Sequence, residues 1–334
     1  MAYFSDFALT KGCFCAKIKG RAFELEAVSP ALDCAILEAL MPVIIGTHNG
    51  KFHPDEVVAI ALLLRVCEDI TVKVVRLDRK DQAGMDACNI LVDTGRIYDP
   101  EQGRFDHHQT GGAGEWPDGT KLSSCGLVWR EYHAHICPNP AVAAIVERAL
   151  IVPVDARDNG QKPEARTLDI PSIADFVDSL NFAWDETGDE DATFMEAVAF
   201  AKRYLERIII RAESQHQAAE LVRAAVAKSR SRRLIILEQG LPWHEVIINE
   251  SPDTHFVVLP GGKGEWLVQA VPVKLGTQQP LRKRLPIEWA GLKDQALTDV
   301  TGVPDAVFAH NEGHIAVASS LAGALELAKQ AIKN

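Results

Sequence analysis

The chain has 334 residues, 47% of them apolar and 24% charged, and a formal net charge of −11. This length suffices for two domains with separate cores, and no apolar run approaches the ~18 residues that span a bilayer, so we expect no membrane segment. The seven cysteines are odd in number and lie mostly within helix or strand patterns, which excludes a disulfide framework and predicts a reducing, cytoplasmic setting. The acidic balance argues against a broad nucleic-acid-coating surface but is compatible with a local basic channel.

Residues 1–40 have a weak apolar pattern, which supports two interpretations. They are either an atypical N-terminal extension that is poorly ordered, or a strand or helix that packs on the core. The first clear strand pattern follows Met41.

From residue 41 onward, short apolar runs alternate with helical patterns. Strands are predicted at 43–46, 71–77 and 89–94, with a helix at 55–68 between the first two. A short hairpin is predicted at 97–106, and two helices at 122–136 and 140–153. This alternation is typical of an α/β protein with a parallel, doubly wound sheet that has helices on both faces.

Polar residues follow the first strand, where active sites of open α/β sheets lie. His48, His53, Asp55 and Glu56 stand within nine residues. Imidazoles and carboxylates together suit Mn²⁺ or Zn²⁺ better than Ca²⁺. The alternative is a capped helix, with Asp55 as its N-terminal cap and the histidines in solvent.

Three further polar clusters also stand at the ends of predicted elements. They are Asp93-Thr94-Gly95, Asp106-His107-His108 and the segment 155–160, which includes Asp155 and Asp158. Four such clusters are hard to explain as independent solvated turns, so together they predict a dinuclear metal site. Asp93 follows the central strand and is our candidate for the carboxylate that bridges the two ions.

The second half of the chain changes character. A long helix is predicted at 191–229, followed by an antiparallel sheet with strands at 234–237, 246–248, 256–259 and 266–272. A final helix is expected to begin after Ser320. The predicted domains are therefore a metal-binding α/β lobe with a helical spine at 41–229 and an α+β substrate-binding lobe at 230–334.

Taken together, these motifs resemble those of the DHH phosphoesterase superfamily, and most closely its melanocyte-proliferating-gene branch. The likeness extends over about residues 43–332 and includes Leu241-Pro242-Trp243 and Trp289-Ala290-Gly291-Leu292. Characterised members of this branch are described as 3′–5′ RNA exonucleases. The chain departs from the wider superfamily at His53, which stands where the first motif usually has an aspartate.

The resemblance implies two divalent ions, with Mn²⁺ preferred and Zn²⁺, Mg²⁺ or Co²⁺ as alternatives. It assigns His48, His53 and Asp93 to one ion, and Asp55, Asp93, His107 and Asp158 to the other. His108 and Asp106 are then the predicted catalytic pair, in which Asp106 holds an imidazole N–H. Asp155 is an alternative to Asp158, and Glu56 is interpreted as an acid that stabilises the first turn of a helix.

Phosphate charge that the metal ions leave uncompensated requires cations. Arg282 and Arg284 belong to the densest basic run near the family motifs, and Gly313-His314 resembles half of the superfamily's Gly-Gly-His signature. We therefore predict Arg282, Arg284 and His314 as substrate-binding residues, with a solvated positive face as the alternative.

These inferences predict a metal-dependent phosphoesterase that releases nucleotides from the 3′ end of RNA or a short oligonucleotide in a cleft between the two lobes. A pyrophosphatase or small-nucleotide hydrolase is one alternative. An amide or protein hydrolase and a non-catalytic metal-binding regulator are two others. The pattern leaves the oligomeric state open.

Overall fold

A computed structural model of the chain describes residues 42–161 and 172–334, so the extension predicted at residues 1–40 lies outside the described residues. The contacts divide the chain into two compact units between Ala212 and Glu213. This division falls inside the longest helix, whereas the domain boundary predicted at residue 230 marks the end of that helix. The predicted domain limits remain a proposal.

The first unit contains a mixed set of short strands and helices. These are strands β1 (Val43–His48), β2 (Val72–Leu77), β3 (Ile90–Val92), β4 (Tyr98–Asp99) and β5 (Arg104–Phe105), and helices α1 (Pro54–Val66), α2 (Gln82–Asp86), α3 (Ser124–Ile136), α4 (Pro140–Val146), α5 (Val152–Asp158) and α6 (Ile173–Ser179). The mixed α/β class predicted from the sequence is confirmed.

The sheet of the first unit has the strand order β2-β1-β3-β5-β4. Its first four strands run parallel, and β4 returns antiparallel to β5 as the predicted hairpin. Successive side chains of β1 point to opposite faces, so Val43 and Ile45 join the main core with α1, while Ile44 packs with Met85 of α2. Both faces of the sheet are therefore covered by helices.

The single helix predicted at 140–153 is divided into three segments. Between α4 and α5 lies a π turn, Glu147–Ile151, with i→i+5 hydrogen bonding. Pro153 is the second residue of α5, a position in the first turn that needs no N–H donor. The helix continues past the predicted end and carries Asp155 and Asp158 in its last two turns.

Helix α7 (Glu190–Lys228) begins in the first unit and ends in the second. The other elements of the second unit are β6 (Leu234–Ile236), α8 (His244–Glu250), β7 (Phe256–Pro260), β8 (Trp266–Ala270), α9 (Asp294–Thr301), β9 (Ala306–Ala309), β10 (Ile315–Ala318) and α10 (Leu321–Lys333). Their sheet has the order β6-β7-β8-β10-β9.

Two predictions for this second sheet were wrong. Residues 246–248 form part of helix α8, whose Val246 and Ile247 are buried, and not a strand. Strands β6 and β7 are parallel, because α8 is the crossover that joins them, and only the remaining pairs are antiparallel. The predicted cap of the last helix is present, since the Ser320 hydroxyl accepts a hydrogen bond from the Gly323 N–H at 3.1 Å.

Across residues 42–161 and 172–334, no helix combines the length and the apolar character that a membrane crossing requires.

Candidate metal centre

Three neighbouring parallel strands deliver the polar clusters to one edge of the first sheet. His48 ends β1, Asp93 follows β3, and Asp106, His107 and His108 follow β5. Because the strands pair in the order β1-β3-β5, their carboxyl ends lie side by side. Residues far apart in sequence are thereby brought into one cluster.

The first set of potential ligands surrounds the Nε2 atom of His48. That nitrogen lies 3.2 Å from a carboxylate oxygen of Glu56 and 3.2 Å from Asp93 Oδ2. The His53 Nδ1 atom lies 3.8 Å from the same Asp93 oxygen. On the far side of the His48 ring, Nδ1 donates a hydrogen bond to the Asn49 carbonyl at 2.9 Å, which orients the ring so that Nε2 faces the cluster.

A second set surrounds the Nε2 atom of His107. This nitrogen lies 3.3 Å from Asp158 Oδ2, 3.4 Å from Asp93 Oδ1 and 3.9 Å from Asp55 Oδ2. The first backbone N–H of α3, from Ser124, donates to Asp55 Oδ2 at 3.2 Å. The positive end of a helix therefore helps to hold this buried carboxylate.

Asp93 belongs to both sets. Its Oδ2 faces His48 and His53, whereas its Oδ1 faces His107 and accepts a hydrogen bond from the Ser124 hydroxyl at 3.2 Å. The residue has a positive φ of 54°, a left-handed conformation that aspartate tolerates better than most residues. Such strain is typical of functional sites.

The donor set fits divalent cations. Among the described residues, five buried side-chain atoms in this cluster have no hydrogen-bond partner; they are His48 Nε2, Asp55 Oδ1, Glu56 Oε2, Asp93 Oδ2 and His107 Nε2. A buried polar atom without a partner is costly, and several that converge on one point are what a metal ion satisfies. Mixed imidazole and carboxylate ligands suit Mn²⁺, Zn²⁺ or Fe²⁺.

The electrostatics of the cluster show that it attracts positive charge. Burial opposes the charged form of His48, but Asp93 and Glu56 outweigh it and raise its pKa to about 10. Burial, reinforced by the charges of Asp93 and Asp158, raises the pKa of Asp55 well above its usual range. Burial also opposes ionisation of Asp93, yet His107 and His48 hold its pKa far below the usual range. The buried carboxylates therefore need positive charge beside them, which protonated imidazoles or a metal ion can supply.

Asp106 holds His108 in place. Its Oδ1 accepts hydrogen bonds from the His108 backbone N–H at 2.9 Å and from His108 Nδ1 at 2.8 Å. Its Oδ2 accepts from the Arg96 N–H at 2.6 Å. The His108 side chain remains 46% exposed, whereas that of His107 is 11% exposed, so the two adjacent imidazoles have different surroundings.

Asp155 occupies a separate, fully buried position. Its carboxylate accepts hydrogen bonds from Trp116 Nε1 at 2.6 Å, the Ser123 hydroxyl at 2.6 Å and the Gly126 N–H at 2.9 Å. A Cβ atom at position 126 would lie 2.0 Å from this carboxylate, so glycine is required there. Between the two predicted alternatives, the geometry favours Asp158 as the ligand, because Asp155 is already satisfied by these three donors.

Glu56 has the first-turn position expected from the sequence, and the structure also makes it a candidate ligand. It does stabilise the first turn of α1, because its carboxylate accepts the His53 N–H at 2.8 Å. The same side chain is fully buried and lies 3.2 Å from His48 Nε2, which places it among the groups that could hold a metal ion. The sequence shows only two adjacent acids in a first turn, and their burial, which is rare for Asp and Glu, appears only in the structure.

Two side chains fix the loop between β1 and α1, and neither was recognised from the sequence. The Asn181 amide accepts from the Phe52 N–H and donates to the Phe52 carbonyl, both at 2.9 Å. Arg76 donates to the Gly50 carbonyl, pairs with Asp191 at 3.0 Å and lies 5.8 Å from the centre of the Phe52 ring. These contacts position the loop that carries His53.

The predicted substrate-binding residues lie in the second unit. The guanidinium of Arg282 donates to the carbonyls of Ile248 and Ser251, each at 2.7 Å, and thus caps the end of α8. Arg284 is exposed and donates only to Gln279 among the described residues, at 2.8 Å. His314 packs against His310 with 4.1 Å between ring centres. Arg282 therefore has a structural role, while Arg284 and His314 stay candidates for substrate contact.

Comparisons with known proteins agree with the motif pattern. A family model described as "Uncharacterised protein family (UPF0160)" and named for the MYG1 exonuclease matches residues 44–332. The MYG1 exonuclease of Bos taurus is 32% identical over 328 residues, which cover 87% of this chain and 84% of that protein. The MYG1 protein of Dictyostelium discoideum is 30% identical over 314 residues, which cover 85% of this chain and 94% of that protein.

Among solved structures, an exopolyphosphatase-related protein from Bacteroides fragilis overlaps 92% of this chain and 97% of its own, with 12% identity and a TM-score of 0.22. A TM-score of 0.22 carries no argument about the fold, so the link to the DHH superfamily remains a prediction. The family model and the relatives, in contrast, each match most of the chain. The resemblance to the melanocyte-proliferating-gene branch is confirmed, and the chain belongs to the MYG1 exonuclease family.

Proposed function

We propose that this chain is a metal-dependent phosphoesterase that releases nucleotides one at a time from the 3′ end of RNA. The observation that carries the proposal is the position of Asp93, whose two carboxylate oxygens face two different imidazole sets. A bridging carboxylate of this kind is how proteins hold two divalent ions close together. The name exonuclease, which several relatives carry, supports the same reaction class.

The ligands divide into two groups that share Asp93. His48, His53 and Glu56 would hold one ion with it. A second ion would take Asp55, His107 and Asp158. When bound, two such ions lower the pKa of a coordinated water and neutralise the charge of a phosphodiester. We propose Mn²⁺ because each set combines imidazole nitrogen with carboxylate oxygen donors, a mixture in which the carboxylates suit this ion.

His108 is the proposed proton donor to the leaving oxygen. Asp106 accepts from its Nδ1, fixes the ring and favours its protonated form, since this hydrogen bond raises the pKa of His108. Its exposed position allows contact with substrate, whereas the more buried His107 faces three carboxylates. The proposed division of labour therefore gives metal binding to His107 and proton transfer to His108.

The test is a substrate screen with the purified full chain and Mn²⁺. A 5′-labelled single-stranded RNA should shorten by one nucleotide at a time, and the same strand labelled at its 3′ end should lose its label at once. A matched DNA strand, pyrophosphate and a peptide pool complete the screen, and the Asp93→Asn variant serves as the inactive control. Turnover of pyrophosphate or peptides with RNA left intact would overturn the proposal.

A further inference from the structure

One face of helix α7 combines exposed aromatic rings with arginines. Successive residues of an α-helix are about 100° apart, so positions 200, 203, 204, 207 and 211 lie on one side of it. A phenylalanine of α6 packs beside this side. The aromatic–arginine face therefore consists of Phe176, Phe200, Arg203, Tyr204, Arg207 and Arg211, all of which are exposed.

The rings of this face form a short stack on the surface. The centres of Phe176 and Phe200 are 4.1 Å apart with 36° between the ring planes, and those of Phe200 and Tyr204 are 6.3 Å apart with 13° between the planes. The three residues are 41%, 39% and 39% exposed. Exposed aromatic rings that lie close together offer faces on which further flat groups can stack.

The arginines of this face carry positive charge that is mostly unpaired within the described residues. Arg203 pairs with Glu206 at 3.4 Å across one helical turn, an exposed contact that contributes little. In the part of the chain that the structure describes, no carboxylate lies within ion-pair distance of Arg207 or Arg211. The three arginines recur every four residues, about 6 Å along the helix, so they form a row rather than a point.

This face is connected to the metal centre through α6. Arg157, which precedes the proposed ligand Asp158, pairs with Asp175 at 3.1 Å and with Asp178 at 3.3 Å. Phe176 directly follows Asp175 in α6. The stack of rings thus begins next to the helix whose end carries a proposed metal ligand.

We propose that the aromatic–arginine face binds the single-stranded RNA upstream of its 3′ end, with bases stacked on the rings and phosphates on the arginine row. This inference rests on the proposed function, because it names where the uncleaved part of that substrate lies. An acidic protein surface would match the arginines but has no need for neighbouring rings, whereas nucleic-acid strands engage both features without sequence preference.

The test measures the affinity of the full chain for a fluorescently labelled 12-nucleotide RNA by anisotropy. The assay contains EDTA, so that binding is measured without hydrolysis. Phe200→Ala and Tyr204→Ala should each weaken binding by at least about fivefold. Arg207→Gln and Arg211→Gln should each reduce the slope of log affinity against log salt by about 0.7. Met195→Ala and Lys202→Gln, on the same helix but off this face, should bind as tightly as the wild-type chain.

Each outcome decides the proposal. Unchanged affinity and salt slope in all four variants would overturn it. Analytical sedimentation of the same variants tests whether a second copy of the chain occupies this face instead. If the variants lose a dimer but retain their affinity for RNA, the face is a contact between copies and the proposal is overturned. If the wild-type chain hydrolyses no RNA but the four variants still lose affinity, the proposed function fails while the binding face stands.

Discussion

At the scale of single residues, the candidate site is centred on one carboxylate whose two oxygens contact different histidines. Asp93 faces both imidazole sets from a left-handed backbone position, and its carboxylate is buried. Asparagine adopts this backbone conformation as readily as aspartate. A substitution to asparagine therefore removes the negative charge without disturbing the turn.

Asp93→Asn should reduce bound Mn²⁺ from about two equivalents per chain to near zero. Both ions would lose their shared anionic ligand, and the repulsion between two adjacent cations would no longer be offset by a bridging charge. Metal analysis after gel filtration in Mn²⁺ measures this loss. Glu101→Gln, an exposed acid of the same unit, is the control. Two equivalents in Asp93→Asn would refute a bridging role.

The adjacent histidines should differ when each is replaced by alanine. His107→Ala is expected to lose one Mn²⁺, since its Nε2 is buried and faces Asp55, Asp93 and Asp158. His108→Ala should retain both ions and lose about 10²- to 10⁴-fold in kcat, the usual contribution of a general acid. Metal analysis and steady-state rates on the same preparations distinguish the two. The reverse order would exchange their roles.

Asn181 positions the loop that carries His53, so its effect should appear in metal binding. Asn181→Ala removes both hydrogen bonds to the Phe52 backbone, a loss of roughly 1–3 kcal/mol in stability. We expect bound Mn²⁺ to fall from two equivalents towards one, because the set with His48 and His53 is loosened. Ser179→Ala, two residues earlier at the end of helix α6, is the control. Full metal retention by Asn181→Ala would limit the residue to a packing role.

At the scale of elements, the basic run of the second unit separates into different roles. Arg282 satisfies carbonyls at and after the end of α8, whereas Arg284 extends into solvent. Sequence alone gives both residues the same prediction, because they stand in one run of three cations. The distinction depends on where α8 ends, and the sequence interpretation had placed a strand there.

Arg282→Ala should lower the melting temperature by several degrees, since carbonyls at the end of α8 would lose charged donors worth roughly 2–3 kcal/mol. Arg284→Ala should leave the melting temperature unchanged and flatten the salt dependence of RNA binding. Thermal unfolding and anisotropy on the two variants measure these effects. Equal melting temperatures for Arg282→Ala and the wild-type chain would show that the cap is dispensable.

Elements of the first unit could be predicted because their patterns are local. The apolar runs of β1 and α1 each contain their own signal, and the polar residues stand directly after the strands. The predictions that were wrong concern elements whose structure depends on contacts with residues distant in sequence. Val246, Ile247 and Ile248 are β-branched, and only their packing in a crossover between parallel strands makes them helical. Asn181 and Arg76 likewise act through residues distant in sequence.

At the scale of the whole molecule, the two units have separate cores. The main core of the first unit includes Val57 and Trp129, whereas two further clusters in the second unit include Leu297 and Trp243. All the proposed metal ligands lie in the first unit. Metal binding is therefore expected to act on one of the two cores.

Mn²⁺ at about one hundred times its dissociation constant should stabilise the first unit by roughly 2.7 kcal/mol. Hydrogen exchange should consequently slow in peptides from residues 43–66 and 90–108 when Mn²⁺ replaces EDTA. Peptides from residues 256–270 should exchange at the same rate under both conditions and act as an internal control. Equal protection in both regions would show that the units open together.

The π turn between α4 and α5 has a consequence for engineering the chain. Each residue in a helix advances the next by about 100°, so the extra residue of this turn sets the direction in which Asp155 and Asp158 point. A designer who deletes one residue from Glu147–Ile151 to make the helix regular would rotate both acids by that angle. Asp155 would leave its three donors and Asp158 would leave His107. An idealised helix in this place would be locally stronger and would misdirect the acids on which the site depends.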